Sequence, residues 1–517
     1  MGFSSVQSAA IFGLKVELVN VEADVGNGLP AFHMVGYLSS EVREAGERVR
    51  TAIRNSEMDF PAKKVIINLA PATMKKRGAA FDLPIAVSIL TSLGKISQEK
   101  LSSMLIVGEL SLDGKVQRVP GILPIVLAAR EMGIMSCMIP KDNVREGALV
   151  EGINIIGVES LKSAYEHLCG IKEIKKISRK QKAIHRKSNK TCTEELDYRD
   201  IRGQHAVKRA AEIAVAGGHN LLLVGPPGSG KSMAAKRIST IFPSMTLEES
   251  MEITKIYSIL GKVDEEAPLI EKRPFRSIHH TVTKTALVGG GVIPTPGEIS
   301  LAHGGVLFLD ELPEFQKTVL EVLRQPLEER EIWITRAQGS CLFPANFMLV
   351  AAMNPCPCGA YPSQRCTCTP GQIQNYLGKL SQPFLDRIDI CVEAPKVEYE
   401  ALKLNGTIRN PEEGSAEIRG RVCKAREIQN KRYQGEETRF NAMMNVSEME
   451  EYCTLETEEE RMMQQAFDRL SLTARSYHKI LKVARTIADL EGKERIGAAH
   501  LAEAIGYRTL DKKYWGR

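Results

Sequence analysis

At 517 residues, 43% of them hydrophobic and 26% charged, the chain has an ordinary globular composition and the length of roughly two to four domains. No stretch approaches the ~20 consecutive apolar residues of a membrane span, and Met1 to Ala10 lacks a basic segment followed by an apolar run. A cytoplasmic protein without membrane partners is expected, so the eleven cysteines read as thiols or metal ligands and not as a disulfide framework.

Residues 1–170 read as one α/β domain. Gly13 to Val21 and Lys64 to Leu69 are expected strands, Ser40 to Asn55 a charged amphipathic helix, and Phe81 to Leu93 a buried helix. Leu105 to Leu110 reads as a strand before an Asp113-Gly114 turn, Leu123 to Met132 as a helix, and Met135 to Pro140 and Ile153 to Val158 as strands. The stretches Val65 to Ala72, Lys76 to Pro84 and Gly108 to Gly114 resemble the Lon-protease-like domain of the ribosomal S5 domain 2-like fold. Lon-type proteases use a serine nucleophile activated by a lysine. The aligned positions here are Ala80 and Ile125, which can neither attack a carbonyl nor carry a proton. The resemblance therefore implies the fold without peptidase activity, kept for assembly or DNA contact.

Residues 171–195 read as an exposed basic linker. Between Ile171 and Lys190 nine lysines and arginines face Glu173 alone, more than the whole chain's net charge of +6, so the rest is slightly acidic. Such a run suits nucleic acid phosphates or a merely solvated connector, and its charge does not choose between them.

The third unit, residues 196–395, is organised around Gly225-Pro226-Pro227-Gly228-Ser229-Gly230-Lys231-Ser232. The apolar run Leu221 to Val224 precedes it and helix-forming residues from Met233 to Ile238 follow, the strand, glycine loop and helix that a P-loop needs. Successive N–H groups of such a loop point at phosphate oxygens, Lys231 reaches the β- and γ-phosphates, and the Ser232 hydroxyl binds Mg²⁺. Gly305 to Glu311 is a buried strand with two acids at its carboxyl end. Asp310 is expected to hold Mg²⁺, mainly through water, and Glu311 to orient the attacking water. A further strand, Phe347 to Ala352, leads to Asn354, and Phe384 to Asp389 precedes a strand from Ile390 to Val392.

These segments resemble AAA+ ATPases. By that resemblance Ile201 and Gly203 pack on adenine, Asn354 is the first sensor near the γ-phosphate, and Arg387 reaches the neighbouring subunit's nucleotide. A local salt bridge of Arg387 with Asp386 or Asp389 is the alternative. Arg273 to Thr281 and Pro296 to Gly305 resemble the magnesium-chelatase branch, and Ile332 to Arg336 with Gly339 to Pro344 are similar to its pre-sensor hairpin, which in ring helicases projects into the pore.

Cys356, Cys358, Cys366 and Cys368 have the spacing C-x-C-x₇-C-x-C, which closes a tetrahedral zinc site or leaves four free thiols in a surface loop. Cys341 and Cys391 lie in apolar strands and read as core. His279, His280 and His303 are not at metal spacing with the cysteines and are not expected ligands.

Residues 396–517 read as a helical lid, with helices over Ala416 to Lys431, Ser447 to Cys453, Thr457 to Leu470, Ala474 to Glu491 and Gly497 to Tyr507. Ser471 and Thr473 offer caps for the fourth. Leu472 to Arg475 resembles the second sensor, which implies that Arg475 sits near the γ-phosphate at the sheet–lid cleft.

Taken together, the order of units resembles the YifB/ComM family of magnesium-chelatase-like AAA+ ATPases over essentially the whole chain. The resemblance implies an ATP- and Mg²⁺-dependent, hexameric motor acting on branched or single-stranded DNA, with branch migration during recombination of incoming DNA as its task. A chelatase-type protein remodeller is the second reading. A protease is opposed by Ala80 and Ile125, and a nucleotide-switched scaffold by the set Glu311, Asn354 and Arg387.

Overall fold

A computed structural model of the chain describes residues 2–177, 196–291, 294–336, 339–397, 412–434 and 440–516. Arg179, Lys180, Lys182, Arg186, Lys187 and Lys190 of the basic linker lie outside the described residues.

The N-terminal unit is built on a mixed seven-stranded sheet, in spatial order 31–35, 64–70, 15–26, 3–12, 104–106, 136–140 and 154–158. Along Lys15–Gly26 the residues Val19, Val21, Ala23 and Val25 are buried and their neighbours are more exposed, the period of two that puts one face on a core. That face packs against the helix Asp82–Ser92, every residue of which is buried. Its neighbour Phe3–Phe12 was not legible as a strand, because much of its sequence is serine, glutamine and alanine, with little β-propensity. Pairing decides it: all ten residues align antiparallel with the next strand, and Gly13, at φ +64°, makes the turn between them. The expected helix over Ser40 to Asn55 is two, Ser40–Arg43 and Ala45–Asn55. The expected strand over Leu105 to Leu110 is also two, Met104–Ile106 and Glu109–Leu110, broken where Gly108 donates its N–H to Ala80.

Ala80 and Ile125 belong to one apolar cluster with Leu105, Ile122 and Ile139, and Met251 of the helix Leu247–Ile259 packs on the same cluster. Hydrocarbon from the next unit thus joins the cluster that holds these two positions. Arg118 is held by Glu265 at 2.8 Å and by the Val263 carbonyl at 2.7 Å, and the Ser258 hydroxyl donates to Glu146 at 2.5 Å.

The central sheet has five parallel strands, in spatial order 275–278, 306–309, 348–353, 221–224 and 390–393. The strand Leu221–Val224, buried on both faces, lies between strands that follow it by more than a hundred residues. The chain order reverses beside it, and in open α/β sheets ligands bind outside the carboxyl ends at such a point.

The C-terminal helices are Ser415–Arg432, Val446–Tyr452, Thr457–Leu470, Ala474–Leu490, Ala498–Gly506 and Thr509–Trp515. Ile418, Val422, Ile480, Val483 and Ile487 share one core with Ile213, Leu221 and Val350, so these helices close the back of the sheet. Thr473 caps the fourth helix through the Ser476 N–H at 3.2 Å. Ser471 does not: it ends the preceding helix at φ +49°, where the chain reverses. Among the described residues no helix is long and apolar enough to cross a membrane.

Candidate functional site

The loop Gly225 to Gly230 leaves the carboxyl end of the strand Leu221–Val224. A Cβ at Gly225 would lie 2.3 Å from the Ala394 carbonyl, so only glycine lets the loop start there. Gly228 and Gly230 have φ of +75° and +86° with open space where a Cβ would be. The helix Lys231–Arg237 begins directly afterwards, with Met233 exposed on its first turn.

Lys231 curls back over the loop. Its ammonium donates to the carbonyls of Gly225 at 2.7 Å and Pro226 at 2.8 Å, and to Asn354 Oδ1 at 3.2 Å. Burial lowers its pKa below the usual lysine range, with Asp310 opposing the shift. Ser232 Oγ donates to Asp310 Oδ2 at 2.6 Å. Lys231, Ser232, Asp310 and Asn354, spread over more than a hundred residues of chain, therefore meet at one sheet edge. The donor set fits a nucleoside triphosphate with Mg²⁺. An ammonium facing carbonyls and an amide oxygen lacks an anion. The hydroxyl–carboxylate pair is the hard-oxygen set that Mg²⁺ accepts, and Ser229 Oγ is buried without a hydrogen-bond partner.

Glu311 follows Asp310 in the left-handed region, at φ +53°, a conformation that costs a non-glycine residue about 1 kcal/mol or more and gathers at functional sites. Its N–H bonds Asp310 Oδ1 at 3.0 Å, and its exposed carboxylate lies 3.5 Å from Nδ1 of His280.

Ile201 is buried in the core, and Gly203, at φ +66°, donates its N–H to Glu412 at 3.1 Å. The next residue, Gln204, ties this segment to the phosphate loop, donating from Nε2 to the carbonyls of Ser229 at 3.0 Å and Pro395 at 2.6 Å. Sequence reading missed Gln204; its position between a glycine and a helix start was the available signal.

The two remaining arginines lie at the other end of the sheet. Arg387 is 7% exposed; its Nε donates to the Arg324 carbonyl at 3.0 Å, and Nη2 lies 2.8 Å from Glu328. Its partner is thus neither Asp386 nor Asp389, which are taken by Gln382 and Lys479. Arg475 Nη2 is 3.4 Å from the same Glu328 oxygen. The Arg387 carbonyl accepts from Asn220 Nδ2 at 2.9 Å, and Asn220 immediately precedes the strand whose far end is Gly225. At about 3.3 Å per residue the two ends are roughly 15 Å apart, beyond the reach of an arginine side chain. Arg475, expected beside the phosphates of its own chain, thus shares its carboxylate partner with Arg387. Its helix starts at the amino edge because Lys479, one turn on, is fixed there by Asp389 at 2.8 Å and the Ile388 carbonyl at 3.2 Å.

The four loop cysteines converge. Cys356 lies 3.4 Å from Cys358 and 3.8 Å from Cys366, Cys358 is 3.6 Å from Cys366, and all four sulfurs fall within 4.8 Å of one another. Zinc–sulfur bonds of about 2.3 Å in a tetrahedron imply sulfur separations of about 3.8 Å, so the donor set fits zinc. Backbone N–H groups of Ala360 and Thr367 hold the Cys358 thiol down to about 5, toward the thiolate a metal needs. The loop rests on the phosphate loop: a Cβ at Gly359 would lie 2.3 Å from Cδ of Pro227. Cys341 and Cys391 are buried, as expected, and His303 bonds Asn346 and Glu252, away from the cysteines.

A five-stranded parallel sheet in which the strand Leu221–Val224 ends in this loop, with the asparagine of its neighbour Met348–Met353 and the acids of the next strand over, Val306–Leu309, beside it, defines a P-loop ATPase module of the AAA+ class. Residues 197–402 match the family described as magnesium chelatase, subunit ChlI; residues 21–143 match subunit ChlI of Mg-chelatase, and 412–508 its C-terminal region. The chain is 43% identical over 512 residues to competence protein ComM of Haemophilus influenzae, covering 99% of this chain and 98% of that protein. It is 41% identical over 512 residues to the uncharacterized protein YifB of Escherichia coli, with the same coverage. Lon protease 2 of Bacillus subtilis is 27% identical over 197 residues, 33% of this chain and 35% of that one. The chain belongs to the YifB/ComM family of magnesium-chelatase-like AAA+ ATPases.

Proposed function

We propose that the chain is an ATP-hydrolysing motor that assembles as a ring, a hexamer by analogy with its class, and works on DNA in the cytoplasm. The observation that carries the ring is the separation of the two sheet edges: Lys231, Ser232, Asp310 and Asn354 at one, Arg387 and Arg475 together on Glu328 at the other. A nucleotide held by one chain is then completed by the arginines of its neighbour. Units 1–170, 171–195, 196–395 and 396–517 would act as Lon-like domain, linker, motor with its 356–368 cysteine loop, and lid.

In the reaction, Lys231 leaves the Gly225 and Pro226 carbonyls for the β- and γ-phosphates, Asn354 holds the γ-phosphate side, and Glu311 orients the attacking water. Magnesium, when held by Ser232 and Asp310, neutralises phosphate charge. Arg387 and Arg475 from the neighbour stabilise charge developing on the transferred group. Gly203 and Ile201 would border the base. The four cysteines would hold a structural zinc that steadies the loop against Pro227.

Two features favour DNA: Arg336 stands at the end of the hairpin Glu331–Arg336 and Gly339–Pro344, and a relative is named for competence. The test is steady-state ATP hydrolysis with and without forked and four-way DNA, using Glu311→Gln as the blank. Stimulation by branched DNA that disappears in the variant is the expected result, with branch migration as the activity to assay next. Turnover indifferent to every DNA offered overturns the DNA reading in favour of protein remodelling.

A further inference from the structure

The first two strands of the N-terminal unit, Phe3–Phe12 and Lys15–Gly26, pair over all ten residues of the first and meet in the turn at Gly13. That turn is buried against the motor. A Cβ at Gly13 would lie 2.8 Å from Sγ and 2.9 Å from Cβ of Cys341, on the hairpin Glu331–Arg336 and Gly339–Pro344. The Phe12 ring lies against Gly339 of the same hairpin, where a Cβ would stand 3.3 Å from it. Phe12 and Leu14 pack on the cluster that contains the hairpin's buried face, Ile332, Ile334, Cys341 and Phe343. Glycine is demanded twice at position 13, by its positive φ and by this close approach.

The hairpin continues the helix that holds the two arginines of the amino edge. Leu323 and Leu327 belong to the same apolar cluster, and the helix Arg324–Glu329 leads straight into the first hairpin strand. Its Arg324 carbonyl accepts Arg387 Nε at 3.0 Å, and its Glu328 carboxylate lies 2.8 Å from Arg387 and 3.4 Å from Arg475. Arg330 makes the junction at φ +59°. It donates from Nη1 to the Phe347 carbonyl at 2.7 Å, and its own carbonyl accepts the Ala345 N–H at 2.8 Å. Helix and hairpin therefore form one bonded piece, with the arginines at one end and the N-terminal turn at the other. The N-terminal unit is held at a second point as well, where the Gly121 N–H donates to the Ser258 carbonyl at 2.9 Å beside the Arg118–Glu265 pair. The turn is thus pressed on the hairpin from a fixed base.

We propose that the turn Phe12-Gly13-Leu14 is a positioning element for Arg387 and Arg475: seated on the hairpin, it fixes the helix whose Arg324 carbonyl and Glu328 carboxylate hold both guanidinium groups. The inference rests on the reading above that these arginines complete the nucleotide site of the neighbouring chain. It gives the Lon-like fold a mechanical part in ATP hydrolysis that needs no peptidase residues. Close-packed side chains transmit a shift and do not absorb it. A charge misplaced by about 1 Å from the reacting group can cost on the order of a hundredfold in rate, while the chain's own phosphate loop, at the opposite edge of the sheet, is untouched.

The experiment uses the full chain and its Phe12→Ser, Phe12→Leu and Gly13→Ala variants, with melting curves to show that each is folded. The expected result for Phe12→Ser and Gly13→Ala is a kcat lowered at least about fivefold, the lower end of ordinary coupling between sites, with KM and the affinity for a fluorescent ATP analogue unchanged. Phe12→Leu, which keeps an apolar contact with the hairpin, retains most of the activity. Mixing then shows which chain the turn serves. Phe12→Ser mixed with Lys231→Ala regains activity, because one chain brings an intact phosphate loop and the other a seated turn with its arginines. Mixed with Arg387→Ala it regains nothing, because both chains are deficient at the same edge. The reverse pattern, a loss of ATP affinity, or a kcat equal to that of the parent chain overturns the assignment. Arg387→Ala mixed with Lys231→Ala keeps the two readings apart. If that pair regains activity and Phe12→Ser with Lys231→Ala does not, the turn's role alone is overturned; if that pair regains nothing, the ring reading fails and the turn's role with it.

Discussion

The two edges of the central sheet are built from opposite kinds of chemistry. At the carboxyl edge, each polar group is bonded only to its neighbours in the edge itself: Lys231 on carbonyls, Ser232 on Asp310, Glu311 against His280. At the amino edge everything is cross-linked. Asn220 bonds the Arg387 carbonyl at 2.9 Å, Asp389 Oδ2 at 2.8 Å and the Leu349 N–H at 3.0 Å, stapling three adjacent strands. The Ile388 carbonyl accepts from Lys479 and from Arg508, which pins the C-terminal helices to the same edge. One edge waits for an anion. The other is a rigid mount that holds the buried Arg387 and the exposed Arg475 on one carboxylate, Glu328. In a ring, a rigid mount is what lets one chain's lid motion be felt at the next chain's nucleotide.

The most severe way to break the comparison is at the open edge. Lys231→Ala should remove nucleotide affinity and lower turnover by at least about a thousandfold, whereas Glu311→Gln should lower turnover comparably with affinity retained. Equilibrium binding of an ATP analogue beside turnover checks both, and equal losses of affinity in the two variants would contradict the separate roles.

A somewhat smaller effect tests the closed edge. Arg387→Ala and Arg475→Ala should each cost roughly 10²–10³ in turnover with nucleotide affinity kept. Each variant, mixed with Lys231→Ala, should regain activity, because a neighbour pair then combines an intact loop with an intact arginine. Arg475→Ala mixtures that regain nothing would return Arg475 to its own chain's nucleotide. Since Arg387 is buried, melting curves and Arg387→Lys guard against a folding defect.

The open edge was legible because each part is a short contiguous motif whose backbone demands its residues: glycines where a Cβ would strike Ala394 or where φ is positive, and acids directly after an apolar run. Most strands of the N-terminal sheet were legible from their apolar runs; Phe3–Phe12 and Ala31–Val35 were not, and pairing makes each a strand. The closed edge was not legible. Glu328, Arg387 and Arg475 come from three distant segments, and no local rule says that two arginines share one carboxylate. Arg475 was recognisable as a functional candidate, but its edge depends on which face of the sheet the C-terminal helices cover. That is decided by the packing of Ile480, Val483 and Ile487. The contact of His280 with Glu311 has no sequence signature.

The cysteine loop sharpens the comparison from the open side, since Gly359 rests on Pro227. Purified protein should carry one zinc per chain. Cys366→Ser should lose it and melt about 5 °C lower, a loss near 2 kcal/mol for a unit of this size. A weaker affinity for ATP would accompany the loss, with the Arg387 and Arg475 mixing behaviour unaffected. A chain free of metal that melts like its serine variant would leave the sulfurs as thiols.

The smallest effect belongs to the closed edge and should depend on pH. His219, 1% exposed, bonds Thr486 at 2.8 Å and lies 3.9 Å from Asp389. Burial pushes its pKa down to about 4; Asp389 opposes this, while Lys482, Lys479 and Arg426 add to it. With a folded pKa below the usual value near 6.5, the unfolded chain takes up the proton first as pH falls. The contribution is therefore complete above that value and is lost through the window down to about 4. Between pH 7 and pH 5.5 the loss is about 1 kcal/mol, or about 3 °C in melting temperature. Melting the parent chain and His219→Gln at both pH values isolates it, because every other titrating group is common to the two. The difference between the two chains should shrink on acidification as the parent alone loses this term. A constant difference would mean that His219 titrates normally, and that the amino edge is open enough to admit a proton without yielding its bonds.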